Sequence, residues 1–251
     1  MTRQVPDDGR AISPFAASER GPAGVARDWV EWHEAYADEA SALSGRLRRV
    51  QAHLRAVLDR QPPGPVTLIS ICAGQGRDVI GVLAGHPRRA DVRARLVELD
   101  PLLADHARAA AAGAGLPGVE VLTADAGRAD AYAGAVPANV VLACGVFGNI
   151  TDADMMRTID LLPTLCAPGA GVIWTRHTRR PDLTPAVRDW FRRAGFAEEA
   201  YEHPAGTAQG IGRHRLDGPP GQLSGRARLF SFVDHALAAR PGPLPLDQPS
   251  G

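Results

Sequence analysis

The sequence predicts one α/β domain, a mostly parallel sheet with helices on both faces. Three observations predict it. Short apolar runs rich in β-branched residues alternate with helical stretches of about ten residues, the pattern of a parallel sheet. Polar and glycine-bearing segments follow the apolar runs, where an open α/β sheet places its ligands. The 251 residues suffice for one substantial core and leave little room for a second.

The elements follow in chain order. Residues 25–37 and 41–60 read as helices; in the second, Leu43, Leu47, Val50, Leu54 and Leu58 recur at spacings of three and four. Gln61-Pro62-Pro63-Gly64-Pro65 stops it. Residues 66–72 are a buried strand, 76–84 a helix, 95–99 a strand, 102–112 a helix and 119–123 a strand. A strand at 139–144 precedes a helix over 151–165, opened by Thr151-x-x-Asp154 as a capping-box variant. Residues 171–175 form a strand and 184–194 a helix closed by Gly195. Strands are expected near 197–202, 210–216 and 228–233; with no helix between them, at least one runs antiparallel. Residues 1–24 read as a flexible lead and the Pro-rich 236–251 as a disordered tail.

Composition narrows the function. Basic and acidic residues balance at 28 each, which argues against a nucleic-acid partner. Every basic residue except histidine is Arg, so Schiff-base chemistry and a lysine base are excluded. Cys72, Cys144 and Cys166 lie in apolar runs without a C-x-x-C pair, as expected in a reducing cytoplasm. The lead has no apolar core of a signal peptide, and no apolar stretch is long enough to span a membrane. A cytoplasmic location is therefore expected, with no metal site and with the oligomeric state open.

The ends of three strands carry the chemistry. The first leads into Ala73-Gly74-Gln75-Gly76-Arg77-Asp78, where glycines permit a sharp turn and close approach of a ligand to the backbone. Alone this is equally a plain strand-to-helix turn. The second ends Val97-Glu98-Leu99-Asp100-Pro101, and Glu98 lies 24 residues after Gly74, a spacing suited to holding ribose hydroxyls. The third ends Thr123-Ala124-Asp125-Ala126; Asp125 either accepts from an adenine amino group or caps a helix.

Taken together, Ser70-Ile71-Cys72-Ala73-Gly74-Gln75-Gly76, Val97-Glu98-Leu99-Asp100-Pro101 and Thr123-Ala124-Asp125-Ala126 resemble the class I S-adenosylmethionine-dependent methyltransferase family over residues 25–235. The resemblance implies a Rossmann-like seven-stranded sheet with the last strand antiparallel, N-terminal helices (25–60) as a lid, and S-adenosyl-L-methionine as cofactor. It implies that Ala73, Gly74, Gln75 and Gly76 line the methionyl part, that Glu98 and Leu99 hold the ribose side, with Asp100 able to share the ribose role, and that Asp125 and Ala126 contact the adenine. Cys144, Gly145 and Phe147 follow the fourth strand and line the cofactor. A nicotinamide dehydrogenase is the rival; its third glycine is here Val79, which crowds the helix–strand packing that a dinucleotide fingerprint needs.

The acceptor side is less defined. The segment Cys144-Gly145-Val146-Phe147-Gly148-Asn149 lacks the Asn-Pro-Pro-Tyr of nucleobase-amino methyltransferases, which points to a small-molecule substrate. Asn149 either faces the acceptor or caps the next helix. His177 is either a general base or a solvated loop residue, and Arg176 either binds an acidic group or is solvated. Trp29, Trp32, His33 and Tyr36 share one helical face that either covers the pocket, with Tyr36 near the cofactor, or packs on the sheet. Methyl transfer to a small molecule, with secondary metabolism suggested by an Arg-only composition typical of a GC-rich bacterial genome, is the first expectation. A non-methylating enzyme using the same cofactor and a non-catalytic cofactor-binding protein are the alternatives.

Overall fold

The computed structural model describes residues 41–232. The expected lead, the helix at 25–37 with His33 and Tyr36, and the tail lie outside these residues.

Helix α1 (Ala42–Asp59) begins at Ser41, whose hydroxyl accepts the Ser44 amide at 3.0 Å. Then follow β1 (Val66–Ile71), α2 (Arg77–Leu83), β2 (Val92–Glu98), α3 (Pro101–Gly113) and β3 (Val119–Thr123). A single 3₁₀ turn (Ala129–Tyr132) separates β3 from β4 (Ala138–Ala143). Helix α4 (Asp152–Leu161) passes into a 3₁₀ turn at Leu162–Thr164, because Pro163 cannot continue the helical ladder. Strand β5 (Cys166–His177), α5 (Thr184–Arg193), β6 (Phe196–Glu202) and β7 (Gln209–Leu216) complete the order.

The seven strands form one sheet in the order β3-β2-β1-β4-β5-β7-β6. Neighbours from β3 to β5 are parallel; β7 runs antiparallel to both β5 and β6. The antiparallel strand is thus the last in the chain but lies inside the sheet, with β6 at the edge. The order reverses between β1 and β4, which places the switch point beside the carboxyl ends of those strands.

Side-chain alternation divides the core in two. Leu68, Ala94, Leu96, Val140, Leu142 and Ile173 face α1, α2 and α3, which contribute Val50, Leu54, Val57, Val79, Leu83 and Ala107. Ile69, Ile71, Val97, Val141, Val172 and Trp174 face α4 and α5, which contribute Met155, Ile159, Val187 and Phe191. Residues 41–60, expected as part of a lid, bury an aliphatic face on β5, β7 and α2.

The strand expected at 228–233 is not a strand. Residues 227–232 have no regular structure and pair through isolated bridges, Arg128 with Arg228 and Ile150 with Phe232. Leu229 and Phe230 are fully buried against the 3₁₀ turn, so the apolar run reflects core burial without a sheet neighbour. Among the described residues no helix is long and apolar enough to cross a membrane.

Candidate functional site

The turn after β1 is built on three left-handed residues: Cys72 (φ 54°), Gly74 (φ 55°) and Gly76 (φ 68°). A Cβ on Gly76 would stand 2.7 Å from Leu96 Cδ2 and 2.8 Å from Ile80 Cδ1, so both side chains would have to shift. Cys72 holds this conformation without being glycine, at a cost of about 1–2 kcal/mol. The Ala73 amide donates to the Val97 carbonyl at 2.9 Å and binds the turn to the end of β2.

Glu98 closes that end. Its Oε2 accepts the Gly74 amide at 2.7 Å and its Oε1 accepts the Asp100 amide at 2.9 Å. Burial pushes its carboxyl above the ordinary range, and the amides of Asp100, Gly74 and Leu99 oppose the rise. Two donors leave lone pairs on both oxygens. Asp100 serves the next helix instead, since its Oδ1 accepts from the Leu102 and Leu103 amides and caps α3. Leu99 projects beside the carboxylate and remains 41% exposed, an apolar side chain at an otherwise polar strand end.

Asp125 follows β3. Its Oδ1 accepts the Gly127 amide at 2.8 Å and its Oδ2 accepts Arg228 Nη2 at 3.0 Å. Ala126 is 4% exposed, and its carbonyl accepts the buried Tyr132 hydroxyl at 2.6 Å. Burial and the nearby Cys72 and Asp125 raise the Tyr132 phenol well above its usual range, so it stays a donor. Cys72 is likewise pushed well up, by burial first and then by Glu98 and Asp125, which places its thiol near both carboxylates.

At the end of β4, burial pushes the Cys144 thiol well up and keeps it protonated. Gly145 (φ 79°) donates its amide to Thr175 Oγ1 at 2.9 Å, and open space lies where its side chain would be. Asn149 donates from Nδ2 to the Gly145 carbonyl at 2.6 Å; the cap of α4 is Thr151, whose hydroxyl accepts the Asp154 amide. The Phe147 side chain does not line this end. Its ring is fully buried, 6.1 Å from Trp174 and 6.3 Å from Phe191 between centroids, because it continues the aromatic layer under β5.

His177 ends β5 and lies against Gly148, where an added Cβ would come within 3.2 Å of its ring. Arg176 is not solvated. It is 8% exposed, its Nε and Nη1 have no hydrogen-bond partner among the described residues, and Asp152 stands 3.9 Å from Nη2. Burial lowers its pKa, as expected for a cation with incomplete partners.

Glu98 therefore meets the glycine turn directly, Asp125 stands close by, and Gly145 and Asn149 form a second small constellation at the switch point. Gln75 Oε1 accepts from Arg77 Nε at 2.7 Å. Sequence reasoning missed three groups. Asp78, in the first turn of α2, has a carboxyl that burial pushes up to about 6. Tyr132 and Arg228 both act on the Asp125–Ala126 segment. Asp78 sits two residues beyond the glycine turn and was within reach of motif reading; Arg228 carries no local signal.

No protein-family model matches the chain, and no curated protein matches it. Solved structures do. Magnesium protoporphyrin IX methyltransferase from Synechocystis, with bound S-adenosylmethionine, matches with a TM-score of 0.59 and 13% identity over 74% of this chain and 90% of that one. The 1,6-didemethyltoxoflavin-N1-methyltransferase of Burkholderia thailandensis, with its substrate and S-adenosylhomocysteine bound, matches at 0.56 and 17% identity, covering 85% and 95%. An O-methyltransferase family protein of the same species matches at 0.56 and 18% identity over 71% of this chain, which spans 57% of that protein's length. At these identities the likeness is one of fold. The chain has the Rossmann-like fold of class I S-adenosylmethionine-dependent methyltransferases.

Proposed function

We propose that this protein binds S-adenosylmethionine across the carboxyl ends of β1 to β4 and transfers its methyl group to a small-molecule acceptor. The observation that carries the reading is the joint between Glu98 and the Gly74 amide. It sets a half-buried carboxylate, with one amide on each oxygen, beside a left-handed turn and beside the exposed Leu99. This donor and acceptor set fits an adenosine bearing a methionyl chain.

When bound, the sulfonium supplies an activated methyl group and a good leaving group. The chain's residues then bind, orient and exclude water. Ala73, Gly74, Gln75 and Gly76 bring backbone close to the methionyl part. Glu98 accepts from the ribose hydroxyls, Leu99 covers one face of the adenine, and Asp125 with Ala126 recognises its edge. Cys144 and Gly145 border the methyl, with Asn149 holding the Gly145 carbonyl in place. In this reading His177 takes a proton from the acceptor, and Arg176 receives an anionic substituent. Tyr36 and His33, on the segment before residue 41, complete the reading as lid residues.

The balanced charge and the absence of Asn-Pro-Pro-Tyr after β4 favour a small molecule over nucleic acid. The test is transfer of labelled methyl from S-adenosylmethionine to a panel of phenols, amines and carboxylates, with transfer RNA and duplex DNA as controls. Labelled small-molecule product is expected. Label in nucleic acid alone contradicts the acceptor class. Tight cofactor binding without transfer to any of them favours the non-catalytic alternative.

A further inference from the structure

Asp125 is held from two sides, and one side is the C-terminal segment. The Leu229 amide donates to the Gly127 carbonyl at 2.8 Å, and the Ala129 amide donates to the Ala227 carbonyl at 3.0 Å. These bonds lay residues 227–232 along the turn that follows β3. The approach is so close that a Cβ on Gly127 would stand 2.2 Å from the Phe230 carbonyl oxygen. Leu229 and Phe230 anchor the segment in the core. Thr158 Oγ1 donates to the Leu229 carbonyl, and Asp154 Oδ2 accepts the Ser231 amide.

Arg228 is thereby fixed over Asp125. Its Nε donates to Ser231 Oγ at 2.7 Å, and its Nη2 donates to Asp125 Oδ2 at 3.0 Å. The neighbouring Arg128 does not compete, since Asp130 engages it through both Nε and Nη2. The Arg228–Asp125 pair is 46% and 35% exposed, and pairs so exposed add little to fold stability. Its effect lies elsewhere. With Gly127 on Oδ1 and Arg228 on Oδ2, each carboxylate oxygen is tethered, which restrains its rotation.

We propose that Arg228 is a positioning residue that sets nucleobase selectivity: it locks Asp125 so that the site accepts a 6-amino purine and rejects a 6-oxo purine. This rests on the reading of Asp125 as the adenine contact. A freely rotating carboxylate can move away from a 6-oxo group, whereas a fixed one faces it acceptor to acceptor.

The experiment titrates the full chain with S-adenosylhomocysteine and with its 6-oxo analogue, S-inosylhomocysteine, by calorimetry. Wild type is expected to prefer the 6-amino ligand by more than about tenfold. Arg228→Gln should weaken the 6-amino ligand and strengthen the 6-oxo ligand, together closing the preference by about tenfold. Arg228→Lys should keep part of the preference. Asp125→Asn should abolish it, and adding Arg228→Gln to Asp125→Asn should change nothing more. Melting curves of each variant check that the segment stays seated. Arg228→Gln that keeps the wild-type preference, or binds the 6-amino ligand more tightly, overturns the proposal alone. Failure of wild type to bind either ligand overturns the cofactor reading, and this inference with it.

Discussion

The two faces of the sheet are covered by different means. One carries three regular helices, α1, α2 and α3, over a buried cluster made only of Val, Leu, Ile and Ala. The other carries α4 and α5, a four-residue 3₁₀ turn and the irregular segment at 227–232. Its cluster holds Phe147, Trp174, Phe191, Phe196 and Phe230 among the described residues. Near β2 the 3₁₀ turn lies on this second face. Arg95 helps hold it there, donating to the Ala131 and Ala133 carbonyls and pairing with Glu120 at 2.8 Å. Regular helices bury area by periodicity, while the second face relies on particular large side chains and on chain returning from the end of the sheet. The groups proposed to hold the cofactor straddle both: the glycine turn opens α2 on the first face, and Asp125 is held by the return segment on the second.

That contrast can be broken experimentally. Phe230→Ala, on a segment with no regular structure, should cost about 3–5 kcal/mol in chemical denaturation. This would be at least as much as Leu54→Ala in helix α1, at about 2–5 kcal/mol. A cost below about 1 kcal/mol would mean the segment is an ornament and the face is closed otherwise.

The second effect is pH. His214 is 1% exposed, stacks on Phe191 at 4.4 Å between centroids and accepts Trp174 Nε1 at 3.1 Å on Nδ1. Burial lowers its pKa from 6.5 to about 4. Below pH 6.5 the unfolded chain takes up a proton that the folded one refuses, so stability falls as pH drops toward 4, by at most about 3 kcal/mol. His214→Gln should flatten that slope relative to wild type. An unchanged slope would assign it to carboxylates instead.

The smallest effects are steric, and they should differ in sign between the faces. Gly212→Ala would set a Cβ 2.2 Å from Trp174 Cε2 and should cost about 1–3 kcal/mol. Gly45→Ala, in α1 with only the Arg48 guanidinium near it, should stabilise by about 0.5–1 kcal/mol. Thermal melts of the two variants read both signs.

The same contrast explains what could be read from the sequence. Helix α1 and strands β1, β3 and β4 follow from apolar spacing to within a residue or so. Strand β2 begins at Val92 and not at 95, because Arg93 and Arg95 alternate with buried Val92 and Ala94 and mask the strand. Strand β5 extends back to Cys166 through Pro168 and Gly169, since Cys166 pairs with Ala138 across an irregularity that no local pattern announces. The apolar run at Leu229–Phe230 was legible as buried, but its partner, about 100 residues away in the chain at the 3₁₀ turn, was not. In the site, Glu98 and the glycine turn were legible because strand ends carry them in order. Arg228 was not, since only the return of the chain brings it to Asp125.

The central claim is that Glu98 and the glycine turn hold an adenosyl cofactor. Calorimetric titration of the full chain with S-adenosylmethionine and S-adenosylhomocysteine, with NAD as control, tests it most directly. The expected result is micromolar binding of both, no binding of NAD, and a loss of about 1–3 kcal/mol in Glu98→Ala. Equal affinity in wild type and Glu98→Ala, or preference for NAD, would contradict it.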